Sequence, residues 1–231
     1  MSGKFSKRTI KELSPVLFEL GPVDRVVYEV ERDIDNIDGV RYDETTIFPG
    51  LIGRELPKTF GHYHPKNPSG VYYPEIYTVL DGRAWYLIQR PSEDNPRVIE
   101  EIYLVETAKG QKAIMPPGFG HVSMNPEDRN LKMANWIGPF EYDYQTYEDM
   151  RGSAYYILQS PNGEVRFEKN PQYEKVPDLI RLEPKEIPEL GITWDASLLD
   201  MKDNPKNLEF LIKPEKYLNL LTIENCFQKI I

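Results

Sequence analysis

The sequence is poor in the side chains that most often mark chemistry, with one cysteine and three histidines in 231 residues. A single cysteine excludes an internal disulfide and a thiolate zinc knuckle, so Cys226 reads as a buried small apolar residue. No apolar run is long enough to cross a bilayer. The opening MSGKFSKRTIKEL lacks the apolar stretch and small-residue cleavage site of a secretory signal, so a soluble, cytoplasmic protein with no membrane partner is expected. Concentrated basic blocks are also missing. With 28 Lys and Arg against 37 Asp and Glu, a net charge of -9, no nucleic-acid partner is expected, because phosphate-backbone binding needs clustered cations. No internal repeat is visible.

What is present is a succession of short β-rich runs with Gly, Pro and Asp between them. Residues 1–24 read as an N-terminal arm, with a short helix from Thr9 to Leu13 stopped at Ser14-Pro15, since a residue before proline leaves the α region. Residues 25–171 read as an all-β domain: RVVYEVERD, TTIFPGLIG, KTFGHYH, VIEEIYLVE, KAIMPPGFGHVSMN and LKMANWIG are strand-like. EIYTVLDGRAWYLIQ is expected to be a hairpin about Asp81-Gly82, and SAYYILQS with GEVRFEKNP a second about Pro161-Asn162-Gly163. Many short strands without alternating helices favour a sandwich or jelly roll. Residues 172–231 read as a partly helical extension, packed on that domain or on a second subunit, with helices interrupted at Pro214.

The three histidines occur as His62-Tyr63-His64 and as His121 in PPGFGH. Residues i and i+2 of a strand share a face, so His62 and His64 can direct both imidazoles inward. Glu75, in PEIY, starts the next strand and can face the same interior. A lone histidine is usually a surface or core residue, but that explanation must here cover three separate placements. Three imidazoles and a carboxylate suit one divalent transition metal per chain, and they leave positions for water or substrate. Fe(II), Mn, Zn, Ni and Co are all compatible.

T-F-G-H-Y-H, then P-E-I-Y, then P-P-G-F-G-H-V-S-M-N resembles the cupin-type glucose-6-phosphate isomerases of archaea, over about Tyr28 to Gly163. The resemblance implies a cupin double-stranded β-helix and interconversion of glucose 6-phosphate and fructose 6-phosphate, a step of glycolysis and gluconeogenesis. It implies metal ligation by His62, His64, Glu75 and His121, with iron favoured. It also implies a substrate pocket lined by Tyr28, Thr46, Thr59, Gly61, Tyr77 and Tyr144, with the threonines and the glycine near the phosphate. Two departures stand out. The interval PKNPSGVYYP is long, and suggests an extended loop at the pocket mouth. A family tyrosine falls at Trp136 or Ile137 and a family histidine near Tyr142.

Aldose–ketose isomerisation moves hydrogen between C1 and C2. Glu75 is the candidate base for a cis-enediol path, with a hydride shift as the competing chemistry. Tyr77, two residues on, is placed to hydrogen-bond a sugar oxygen. Ordinary packing is the plain alternative for Tyr77, one of 15 tyrosines, and strand propensity for Thr46 and Thr59. Two other functions use the same ligands: an Fe(II) dioxygenase, which would consume oxygen, and a non-catalytic sugar-phosphate-binding cupin, which would bind without turnover. A homodimer covering an exposed sheet is expected.

Overall fold

The computed structural model describes residues 4–21 and 23–230, so Met1–Gly3 and Pro22 of the arm and Ile231 of the extension lie outside the described residues. The arm begins as a strand, which sequence reading did not anticipate: β1 (Lys4–Thr9) pairs antiparallel with β2 (Val26–Ile37). Between them Thr9 caps α1 (Ile10–Leu13) in a reciprocal box with Glu12, satisfying two helix N–H groups that would otherwise lack partners. Asp38 and Gly39, with φ of 51° and 89°, then turn the chain into β3 (Val40–Ile47). Positive φ at both central positions is what a two-residue hairpin demands.

The chain continues through β4 (Glu75–Asp81), β5 (Arg83–Pro91), β6 (Ile99–Ala108), β7 (Lys112–Met115), β8 (Gly120–Met124) and β9 (Leu131–Ile137). After α2 (Gln145–Asp149) come β10 (Tyr155–Gln159), β11 (Val165–Lys169) and β12 (Ile180–Pro184), then α3 (Ile223–Cys226) and β13 (Phe227–Lys229). One sheet has the order β1-β2-β3-β9-β4-β7, the other β13-β12-β6-β5-β8, and β10 with β11 forms the expected separate hairpin. Both faces of the first sheet's middle are buried: Ile76 and its cross-strand partner Trp136 are at 0% exposure on one face, and Glu75 is at 0% on the other. The result is an all-β jelly roll.

The expected hairpin at Asp81-Gly82 is a correction. β4 pairs with β7 and β9, whereas β5 pairs with β6 and β8, so the two arms belong to different sheets. The glycine serves a corner where the chain changes sheet: its φ is +85°, and a Cβ there would lie 3.2 Å from the Asn130 carbonyl.

The extension also differs from expectation. Leu199, Leu208 and Leu211 lie on 3₁₀ turns at Leu199–Asp203 and Pro205–Leu211, because Pro205 and Pro214 break the run before α-helix can propagate. It also supplies strands, β12 running parallel to β6 and antiparallel to β13. Leu208, Phe210 and Leu211 join the same apolar core as Ile76 and Trp136, and the Trp136 indole donates to the Leu198 carbonyl at 2.8 Å.

Candidate metal centre

The segment 58–62 runs beside β8 without forming a regular ladder. Thr59 N–H donates to the Ser123 carbonyl at 2.9 Å, and His62 and His121 exchange backbone bonds of 3.1 and 3.0 Å. On its other side Tyr63 exchanges bonds of 2.9 and 3.0 Å with Asp143. The two-residue spacing of His62 and His64 is therefore fixed by bridges on both sides, not by a long strand. Two glycines permit it. Gly61 has φ +84°, and a Cβ there would come within 2.6 Å of the Tyr147 ring; a Cβ on Gly120 would strike the Tyr63 ring. A tyrosine thus lies against bare backbone on each side of the histidine pair.

The four candidate ligand atoms lie within 4.8 Å of one another. Glu75 Oε2 is 3.2 Å from His64 Nε2, 3.4 Å from His121 Nε2 and 3.7 Å from His62 Nε2. Bonds of about 2.0–2.2 Å to one ion would place neighbouring ligand atoms roughly 3–3.5 Å apart, so the cluster is the right size. His62 Nε2, His64 Nε2 and Glu75 Oε2 are buried and have no hydrogen-bond partner. Leaving three such atoms unpaired costs on the order of 1–3 kcal/mol each, which a shared cation would offset. The residues fit a divalent ion.

Their surroundings hold them in that state. His64 Nδ1 lies 2.8 Å from the Tyr73 carbonyl, which fixes the tautomer with Nε2 free, and Asn135 Nδ2 donates to Glu75 Oε1 at 2.6 Å. Burial lowers the His62 imidazole to about 4 and the His121 imidazole well below its ordinary value, so both are neutral at neutral pH. Burial pushes the Glu75 carboxyl up, but His62 and His64 pull it further down, and it stays ionised. Neutral imidazoles beside a carboxylate are the protonation state that metal binding needs.

A narrow cavity of about 40 Å³ adjoins the cluster, and Tyr28, Thr59, Gly61, His62, Tyr77 and Tyr144 line it. Thr46 does not. It is a correction by one residue: Thr45 and Asp43 face the cavity, while Thr46 sits on the outer face between Glu29 and Lys132. The Tyr77 hydroxyl lies 3.2 Å from His121 Nε2, and burial followed by the Glu75 charge pushes its phenol well up, which keeps it a donor. Thr59 Oγ1 accepts from Ser123 N–H at 3.0 Å and retains its own proton to donate. Trp136 faces away, and Ile137 pairs with Glu75. Tyr142 reaches the centre, its ring 3.8 Å from that of His62.

Arg32, Asp43, Ser123 and Asn135 also line the cavity and were missed in the sequence. Strand parity would have found them: Asn135 lies two residues after Met133 and two before Ile137, on the face that carries Glu75 across the ladder. In the loop Pro65–Pro74, Asn67 organises the chain through its side chain, accepting from Ser69 and Val71 N–H at 3.0 and 3.1 Å.

A jelly roll carrying His-x-His, Glu and His around one interior point has the arrangement of a cupin, and these four side chains could hold a metal ion. The glucose-6-phosphate isomerase (GPI) family model matches residues 21–175. The chain belongs to that family. It is 27% identical over 168 residues to the glucose-6-phosphate isomerase of Thermococcus litoralis, covering 72% of this chain and 77% of that one. To the Pyrococcus furiosus enzyme it is 27% identical, covering 73% and 79%, and to that of Pyrococcus horikoshii 27%, covering 75% and 84%. Among solved structures, a Lactobacillus farciminis oxalate decarboxylase aligns at 18% identity and a TM-score of 0.38, over 54% of this chain and 32% of that one. A likeness that loose says nothing about chemistry.

Proposed function

We propose that this chain interconverts glucose 6-phosphate and fructose 6-phosphate with one divalent transition metal held by His62, His64, Glu75 and His121. The observation that carries the reading is the convergence of three unpartnered buried ligand atoms on one point beside a hydroxyl-lined cavity, in a chain of the GPI family. Bound there, the ion would supply Lewis-acid polarisation of the sugar carbonyl and hydroxyl oxygens. Tyr77 donates to a sugar oxygen near C1 or C2, and Thr45, Thr59 and Tyr28 offer hydroxyls to the phosphate end. The cavity is far below the roughly 300–1,000 Å³ of ligand pockets in general, so the aromatic segment Phe140–Tyr144 must shift to admit a hexose phosphate.

Glu75 is the candidate proton carrier for a cis-enediol path. One observation favours the alternative, a hydride shift between C2 and C1: Asn135 already engages Glu75 Oε1, and Oε2 faces the three imidazoles. Turnover in deuterated water separates the two, because an enediol path exchanges hydrogen with solvent and a hydride shift retains it.

Fe(II) is the metal we favour, with Mn, Ni, Zn or Co as substitutes. The cytoplasm is the expected site of a step in glycolysis or gluconeogenesis; among the described residues no helix is long and apolar enough to cross a membrane. A homodimer is supported by the unpaired edge of β1 and by Phe5, which is 63% exposed beside it. We treat residues 25–171 as the metal-binding unit, with 1–24 and 172–231 built onto it. The test is isomerase turnover on fructose 6-phosphate after metal stripping and reloading with each ion in turn, beside a His62→Ala control. Activity should return with metal and fail in the control. Metal binding without turnover would sink the isomerase reading and bring the oxygenase and binding-protein readings forward.

A further inference from the structure

Two arginines stand at opposite ends of a short aromatic belt over the cavity. Arg8 lies 5.8 Å from the Phe60 ring; Phe60 meets Tyr144 edge-on at 5.5 Å; Tyr144 meets Tyr142 at 5.6 Å; and Arg32 lies 6.0 Å from the Tyr142 ring. Register puts both on the cavity side. Arg8 is paired with Tyr28, and Tyr28, Val30 and Arg32 are the β2 residues that line the cavity. The ladder between β2 and β3 is irregular from Glu31 to Asp35, Asp33 takes φ 61°, and its N–H donates to Asp43 at 2.8 Å. A bulge of this kind re-aims a side chain, and here the side chain is Arg32.

The charges there do not cancel. Asp43 is engaged at 2.8 and 3.0 Å by Arg41 and only at 3.4 Å by Arg32. One carboxylate therefore faces two guanidinium groups. Arg8 has no ion-pair partner among the described residues, its contact being the Phe60 ring. Burial pushes the Tyr144 phenol up, Arg32 and Arg8 pull it back, and the Glu75 carboxylate adds to the rise. In a chain of net charge -9, a local positive field at the mouth of the cavity calls for an anion.

We propose that Arg8 and Arg32 grip the phosphate dianion of the substrate at the cavity mouth, acting as specificity-determining residues beside the hydroxyls of Tyr28, Thr45 and Thr59. This deepens the isomerase reading and rests on it. A guanidinium fork matches two phosphate oxygens at once. The N-terminal strand β1 thereby becomes part of the binding site.

The test is titration calorimetry of fructose 6-phosphate into the full-length, metal-loaded protein and its Arg32→Ala, Arg32→Gln, Arg32→Lys and Arg8→Ala variants, with metal content and Tm measured on each. Arg32→Ala and Arg8→Ala should each weaken fructose 6-phosphate about 10- to 100-fold, the range for losing a charge-assisted hydrogen bond, and KM should rise with little change in kcat. Arg32→Lys should recover part of the affinity. Arg32→Gln keeps a donor toward Asp43 and decides the matter if the alanine variant fails to fold. Wild-type affinity in Arg32→Gln and Arg8→Ala overturns the proposal. Unaltered affinity in variants of an active isomerase sinks the arginine pair alone. Wild type that binds fructose 6-phosphate without turning it over, with binding lost in the variants, sinks the isomerase reading and leaves the pair standing.

Discussion

Two clusters of buried charge lie a few residues apart in this protein, and they are built on opposite principles. Lys58, 1% exposed, donates to the Val16 carbonyl at 2.8 Å and pairs with Glu55, whose other oxygen accepts the Phe18 N–H at 3.0 Å. Its cation also lies 5.6 Å from the Tyr156 ring. That cluster clasps the N-terminal arm and is satisfied from within the chain. In the His62, His64, Glu75 and His121 cluster, four atoms have no partner, and three of them, His62 Nε2, His64 Nε2 and Glu75 Oε2, converge on one point. Burial of charge does not by itself mark function. What marks it is burial that the protein leaves unfinished.

The largest effect should come from exchanging their fates. Glu75→Gln keeps an oxygen for Asn135 but removes the charge, and should cut isomerase activity by about 10³-fold or more with loss of bound metal. Lys58→Ala should do the reverse: it strands Glu55 in the core and costs about 3–5 kcal/mol of stability, while activity per folded molecule persists. Urea denaturation and metal analysis on both proteins check this, and a Glu75→Gln protein that unfolds while retaining metal would erase the contrast.

Metal removal sharpens it next. An ion that binds only the folded state at 1,000 times its Kd stabilises by about 4 kcal/mol, so chelation should lower the melting temperature by a corresponding amount. Lys58→Ala should show the same increment on metal addition, because the clasp and the centre share no partner. A much smaller increment would mean that the arm and the centre are coupled.

Acid should separate them further in metal-free protein. The His62 imidazole sits at about 4 when folded against 6.5 for the free side chain, so between those values the unfolded chain binds the extra proton. Stability from this group is therefore full above 6.5 and is lost as pH falls, at up to about 1.4 kcal/mol per unit. The folded Glu75 carboxyl is also lowered, and it adds to the loss in the same direction below its ordinary 4.5. Unfolding free energies from urea denaturation at pH 7 and pH 5 should differ by about 2 kcal/mol from His62 alone. His62→Gln should reduce that difference without abolishing it, because burial lowers the His121 imidazole as well.

Much of the centre was legible because histidine is scarce: with three in the chain, each one had to be placed, and Glu75 was the carboxylate opening the next strand. What could not be read was parity and partnership. Thr45 and Thr46 have the same propensity, and only the pairing of β3 with β9 decides which faces the cavity. Asp-Gly occurs at 38–39 and at 81–82; the first is a tight hairpin and the second a corner between sheets, because the choice depends on which strands claim the flanks. Arg32 and Asn135 look like surface residues until register turns them inward. The arm strand β1 was hidden for the same reason, since its partner lies beyond a helix and a loop.

The smallest effect should come from removing the clasp entirely. In Lys58→Met with Glu55→Leu no charge is stranded, and well-packed apolar replacements of a buried ion pair are often neutral or better. Here the pair also serves two backbone groups, the Val16 carbonyl and the Phe18 N–H, which the double variant leaves without those partners. Each such loss costs about 1–3 kcal/mol when the group stays buried, less if the arm loosens enough to admit water. The apolar gain and that loss oppose each other, so the double variant should fall within about 2 kcal/mol of wild type and well above Lys58→Ala alone. Denaturation of the two singles and the double closes the cycle. The same double replacement has no counterpart at the metal centre: apolar residues at His62 and Glu75 would satisfy the packing and end the chemistry. A double variant as unstable as the single would mean that the backbone bonds, not the ion pair, hold the arm, and the clasp would then be a cap on the chain rather than a pair of charges.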